Sequence, residues 1–201
     1  MNSFSLSKKI EKTFPETLTV DGRVFAINPG FRVHLKIIRL LEDDSVFDLH
    51  KIGLIARWFF VDEYPPDVLG ALNMFFSQSH SRSANRSTEE CTRDVDSGVD
   101  FCYEFDADVI YTSFLQAYQI DLLRVPFLHW YDFQLRLVGL PSDSPFRLRL
   151  KLRGLDLSHY KGQELMEMSA AKDAVQLPEK LTYEEQQDVT EFEDMWGNVG
   201  H

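Results

Sequence analysis

The side chains in this sequence best able to do chemistry are six histidines, one tight group of acids and two cysteines. The histidines, His34, His50, His80, His129, His159 and His201, are scattered, and no His-x-x-x-His or Cys/His spacing puts two metal ligands on one helix face. His129 beside Trp130 is the best candidate for a working imidazole, yet a lone histidine next to an aromatic helical face is more often a packed or capping residue. Glu104, Asp106 and Asp108 lie close enough in CYEFDADV to be imagined as an acid/base pair. Acids in the first turn of a helix also complement its dipole and cap its free amides, which needs no catalytic role. Cys91 and Cys102 give neither metal spacing nor a disulfide framework and are expected as free thiols. With no glycine-rich phosphate loop, no Gly-x-Ser-x-Gly elbow and no Cys-x-x-Cys, the expectation is a non-enzymatic chain with no metal and no cofactor.

The elements that would position these groups can be read from periodicity and punctuation. TLTVDGRVFAI, residues 17 to 27, is two β-favouring runs around Asp21-Gly22, a pair suited to a two-residue hairpin turn. Asn28 as a cap and Pro29 in the first turn predict a helix over about 29 to 43, carrying Phe31, Leu35, Ile38 and Leu41 on one face. Ser45 and Asp48 approximate a capping box for a second helix, with Leu49, Ile52, Ala56, Phe59 and Phe60 as its stripe. After Pro65-Pro66, Val68, Leu69, Leu72, Phe75 and Phe76 predict a third. Residues 1–76 thus read as a hairpin plus three-helix block, and 77–100, almost without large apolar groups, as a flexible polar linker.

The block 101–177 reads as helical. Asp106 is placed to cap a helix bearing Ile110, Phe114 and Tyr118; Asp121 and Pro126 separate it from a second helix with Phe127, Trp130, Tyr131, Gln134 and Val138, stopped by Gly139-Leu-Pro141. FRLRLKLRGLDL alternates like a strand, but Ser144-Pro145 favours a short helix with Leu148, Leu152 and Leu155 on one side. A last helix is expected over about 158 to 175. Residues 178–201 form an acidic tail, with seven acids against one lysine from Glu179 onward. The predicted fold is mainly α: an N-terminal β-hairpin followed by helices, then a second small helical bundle.

Composition narrows the function classes. A chain of 201 residues with 44% hydrophobic and 13% aromatic content can bury a core. Its formal net charge of -11 disfavours nucleic-acid binding, which wants clustered Lys and Arg. No apolar run approaches the roughly 20 residues of a membrane helix, and MNSFSLSKKIEKTF lacks the apolar core of a signal peptide. The cytoplasm is the expected compartment.

One further signal lies in DFCYEFDADVIYTSFLQAYQIDLLRVPFLHWYDFQLRLVGLP followed by RGLDLS. Its ordered motifs are Phe-Asp-Ala-Asp, Ile-Tyr, Phe-Leu, Tyr118, Ile120-Asp121, His129-Trp130 with Phe133, Gly139-Leu140, and Arg153 followed by Asp156-Leu157. In these, over about residues 100 to 158, the chain resembles the bacteriophage family named after gene product fifteen of temperate phages of Gram-positive bacteria. Tyr131 stands where that family often has a second Trp, and Gln119 where it often has Gly. The resemblance implies a tail-module protein encoded between the major tail protein and the tape-measure protein, chaperone-like in tail assembly in the cytoplasm of the bacterial host. Its implied partners are the tape-measure protein, other tail-assembly proteins and copies of itself, with no nucleic acid and no membrane. The alternative is a structural connector or tail-completion subunit retained in the virion. Tyr111, Phe114, Tyr118, His129, Trp130, Tyr131, Phe133 and Arg153 are the candidate partner-binding or motif residues. Most of the aromatic side chains are expected in the core and a minority at a groove.

Overall fold

The computed structural model describes residues 14–80, 92–93 and 99–178. The expected acidic tail from Glu179, Cys91 and most of the expected linker lie outside these. The chain opens with the predicted hairpin, β1 (Thr17–Val20) and β2 (Arg23–Ala26), in the register Val20↔Arg23 to Thr17↔Ala26. Asp21 and Gly22 both have positive φ, 49° and 77°, the handedness that matches the twist of the flanking strands. Leu18 and Phe25 face inward, while their neighbours Thr17, Thr19, Val24 and Ala26 are exposed.

Three helices follow: α1 (Phe31–Leu41), α2 (Asp48–Phe59) and α3 (Val68–His80). The first starts two residues later than predicted, because residues 27–30 are spent on an extended segment bonded on both sides. Asn28 N–H donates to Phe59 O (2.7 Å), and Trp130 N–H donates to Pro29 O (2.7 Å). The expected capping box before α2 is not formed. The Ser45 backbone N–H and hydroxyl both donate to the Asp43 carboxylate, and Phe47 occupies the cap position without a side-chain bond. Asp67 performs the capping of α3 that the sequence reading did not assign, accepting from Gly70 N–H at 2.8 Å.

The short strands β3 (Thr92–Arg93) and β4 (Asp100–Phe101) pair antiparallel ahead of α4 (Ala107–Tyr118). Gln119 ends α4 in the left-handed conformation, φ 57°, at a position where the related family often has Gly. The next helix, α5 (Trp130–Val138), begins three residues after the predicted Phe127, since Leu128 O is taken by Phe31 N–H (2.9 Å) and holds that stretch extended.

FRLRLKLR is helical, as α6 (Pro145–Arg153) with Pro in the first turn, but the buried face is Phe146, Leu150 and Arg153, not Leu148 and Leu152. Ser144 sits at its cap position without capping it. A 3-10 turn (Leu157–His159) and α7 (Gly162–Asp173) close the described chain. The fold is mainly α with a small N-terminal antiparallel hairpin.

Both helical blocks feed one continuous apolar core. A file of stacked rings crosses it. Phe75 of α3 lies on His34 of α1 (centroids 4.9 Å), His34 on Trp130 of α5 (5.2 Å), and Trp130 on Phe133 (5.7 Å). Phe133 stacks in turn on Phe114 of α4 and on Phe31 of α1, both at 5.1 Å.

Candidate functional site

The three acids of CYEFDADV come from the turn before α4 and its first residues, and each meets an arginine from another helix. Glu104 pairs with Arg39 of α1 at 3.6 Å across an exposed surface. Asp108 takes two bonds from Arg149 of α6 (2.8 and 2.9 Å), and this contact holds its carboxyl below the usual carboxylate range. Asp106 is fully buried. Its side chain turns away from the helix end it was expected to cap and receives Arg153 through the two terminal guanidinium nitrogens, at 2.8 and 3.1 Å. Cys102 N–H (3.1 Å) and the Arg149 Nη1 (3.4 Å) add two further donors.

Four of the five N–H donors of Arg153 are spent inside the fold. Its Nε donates to Val175 O (2.7 Å) and its Nη1 also to Asp100 O (2.8 Å), so one side chain ties α6 to β4, to the start of α4 and to the segment after α7. Chain packing is close enough here that a Cβ on Gly154 would come within 2.5 Å of a Val99 methyl carbon. The position after Arg153 therefore needs glycine for space, not for backbone freedom. A buried, bidentate, multiply bonded pair of this kind is costly to leave half-made, which makes it a device for fixing geometry.

The histidine expected to matter does so as a joint. His129 occupies the cap position of α5, its Nδ1 accepting from Tyr131 N–H (3.0 Å) and its Nε2 bonded to Pro15 O (3.1 Å). These partners fix the tautomer, with the proton on Nε2. Phe14 stacks on the ring at 4.8 Å, and burial lowers its pKa. Both ring nitrogens are committed, so neither is free to exchange a proton with a ligand.

Sequence reasoning gave no role to His34, which is 0% exposed at the centre of the ring file. Its Nδ1 contacts Gly30 O at 2.9 Å, and its Nε2 has no partner. Burial drives its pKa down to about 4, against a smaller opposing effect of the Gly30 carbonyl. Arg32, to which the sequence reading also gave no role, bonds three carbonyls of the loop before α5: Leu122 (2.9 Å), Leu123 (3.2 Å) and Val125 (2.8 Å). An arginine next to a phenylalanine in a helix pattern carries no signal for such a distant loop, so periodicity alone would not find it.

The remaining candidates follow the same pattern. Phe114, Trp130 and Phe133 are buried; Tyr111, Tyr118 and Tyr131 are half-buried against the core. The hydroxyl of Tyr118 donates to Arg136 O (2.8 Å) and that of Tyr131 to Phe75 O (2.7 Å). These residues are drawn together, but inward. The motif's side chains are a set of interior ties, and what remains for a partner is the surface they hold in place.

A family model described as Bacteriophage Gp15 protein matches residues 10–177, the greater part of the chain. The chain belongs to this bacteriophage family. Membership points to a phage structural or tail-related protein. The match spans every element from β1 to α7, so the hairpin and α1–α3 belong to the family as much as the aromatic segment does. No curated protein and no solved structure gives a significant match. Among the described residues, no helix is long and apolar enough to cross a membrane, and no group of three His, Cys, Asp or Glu side chains is placed to hold a metal ion.

Proposed function

We propose that this family member is a non-enzymatic, chaperone-like tail-assembly protein that binds the phage tape-measure protein before the tube polymerises. The carrying observation is the distribution of apolar side chains. The aromatic motif is committed to the interior, yet Phe47 (78% exposed), Leu49 (80%) and Leu123 (78%) stand out on a chain of net charge -11. Large apolar groups exposed on an acidic body suit the cover of apolar helical faces on a long partner, and the charge keeps the pair in solution. Catalysis has no support from the polar groups singled out in the sequence: Glu104, Asp106 and Asp108 are matched by arginines, and both nitrogens of His129 are bonded.

Co-expression with the tape-measure protein of the same phage tests this reading. Affinity capture of the tagged chain is expected to retain the tape-measure protein and to raise its soluble fraction; a tape-measure protein that is equally soluble alone and is not retained refutes it. The rival reading, a connector or tail-completion subunit, predicts stoichiometric recovery of the chain by mass spectrometry of purified virions, where a chaperone is absent.

A further inference from the structure

The hydrogen-bond phase of the hairpin leaves one edge open. Ile27 N–H donates to Glu16 O (3.0 Å), while on the far side of β2 Val61 N–H donates to Ala26 O (3.1 Å). Antiparallel pairs alternate between those that exchange both bonds and those that exchange none. Glu16/Ile27, Leu18/Phe25 and Val20/Arg23 are therefore the bonded pairs, and Thr17/Ala26 and Thr19/Val24 are not. The N–H and C=O groups of Thr17 and Thr19 point outward from β1, both residues are exposed, and no other described residue hydrogen-bonds them. Edge strands are ordinarily protected by Lys, Pro or a bulge; TLTV has none of these.

The adjoining outer face is uncharged. Thr19 lies beside Val24 (66% exposed), and Thr17, Ala26 and Val61 (61% exposed) form the next row, which opens into a groove of about 440 Å³ walled by Pro29 and Phe127. Glu16 and Asp21 bracket the edge, exposed and without an ion pair among the described residues.

We propose that this edge of β1 takes up an extended segment of a partner protein as an added strand. Alternate β-branched or apolar residues of that segment lie over the Thr17/Thr19/Val24 face, and Lys or Arg at its two ends meets Glu16 and Asp21. A second copy of the chain is the poorer occupant. In the antiparallel register that brings the outward groups together, Thr17 of each copy falls opposite Thr19 of the other, which crowds Glu16 of one copy and Asp21 of the other at each end with no cation between them. The inference rests on the reading that the chain acts by binding another protein, and it assigns the surface and the chemistry of what binds.

The test uses the full chain and a blocked synthetic peptide, Lys-Val-Thr-Val-Thr-Lys, followed by amide exchange at Thr17 and Thr19. Saturable protection of both amides, weakened at least tenfold by high salt, is expected. Thr19→Pro removes one outward N–H and no bond of the hairpin, so it should leave the melting temperature unchanged and weaken peptide binding at least tenfold. Retention of the tape-measure protein is read in parallel and should fall with it. No protection by the peptide, equal binding to Thr19→Pro, or concentration-dependent protection of the chain alone overturns the proposal. Retention unaffected by Thr19→Pro also overturns it, leaving the chaperone reading intact. Edge protection with no retention by the wild-type chain supports the edge and refutes the chaperone reading instead.

Discussion

Lowering the pH from 7 to 5 should destabilise this fold through His34. The ring is enclosed by Phe59, Phe75, Phe76 and Trp130, its Nδ1 faces Gly30 O, and its Nε2 has no acceptor for a second proton. Its folded pKa is about 4, below the 6.5 of an unperturbed histidine. The folded state thus disfavours the charged form: the stabilisation is whole above pH 6.5 and is lost as pH falls through 6.5 toward 4. At about 1.4 kcal/mol per pKa unit, the 1.5 units between 6.5 and pH 5 correspond to roughly 2 kcal/mol, and the full interval to about 3.4 kcal/mol. His129, also lowered by burial, adds in the same direction. The lowered carboxyls of Asp43, Asp108 and Asp156 act only below about pH 4, outside this window. Urea unfolding at pH 7 and pH 5 measures the loss, and His34→Phe, which keeps a ring in the stack, should remove most of the pH dependence. Equal dependence in wild type and His34→Phe would refute the reasoning, as would a His34 resonance that titrates near 6.5 in the folded protein.

Three further substitutions probe the ties around this core. Trp130→Ala empties a site 2% exposed, and because the indole N–H has no partner the cost is packing and cavity alone, about 3–5 kcal/mol by urea unfolding; an unchanged melting temperature would show the ring dispensable to the core. Gln119→Gly should raise stability by roughly 0.5–1 kcal/mol, since φ of 57° penalises a side chain but not glycine, and a fall in melting temperature would reveal a contact of the glutamine side chain. Arg153→Met leaves Asp106 buried with only Arg149 and Cys102 N–H as donors and should cost about 3–5 kcal/mol; the double variant with Asp106→Leu should recover part of it, and strictly additive losses would count against a coupled pair.

Much of the secondary structure is legible because it is written locally. Asp21-Gly22 demanded a positive-φ turn, Pro145 opened α6 despite the Leu/Arg alternation that looks like a strand, and Gln119 ended α4 where a glycine would be at ease. Boundaries failed where a distant strand of chain took the backbone groups. Asn28 and Pro29 looked like the cap and first turn of a helix and are extended, because Phe59 O and Trp130 N–H reach them from about 30 and 100 residues away. The leucine face of α6 failed for a related reason: Arg153 is drawn inside by Asp106, and the helix rotates to bury Phe146 and Leu150 with it. A pattern that counts arginine as a surface residue cannot anticipate a buried ion pair.

The same argument separates what a motif preserves from what it displays. Asp106, Arg153 and the pair His129-Trp130 come from three places in the sequence and are all buried, yet between them they fasten β4, α4, α5, α6 and Pro15 ahead of β1 into one body. Replacing any of them would disturb all surfaces at once, so loss of binding in such a variant would say nothing about where a partner sits. The open edge of β1 is the opposite case. Thr17 and Thr19 are exposed, no described residue takes their outward groups, and a change there is expected to alter binding without shifting the melting transition. A partner site in this fold is therefore to be sought by substitutions that are silent in stability, at Thr19 and the residues around it, and not at the motif that makes the family recognisable.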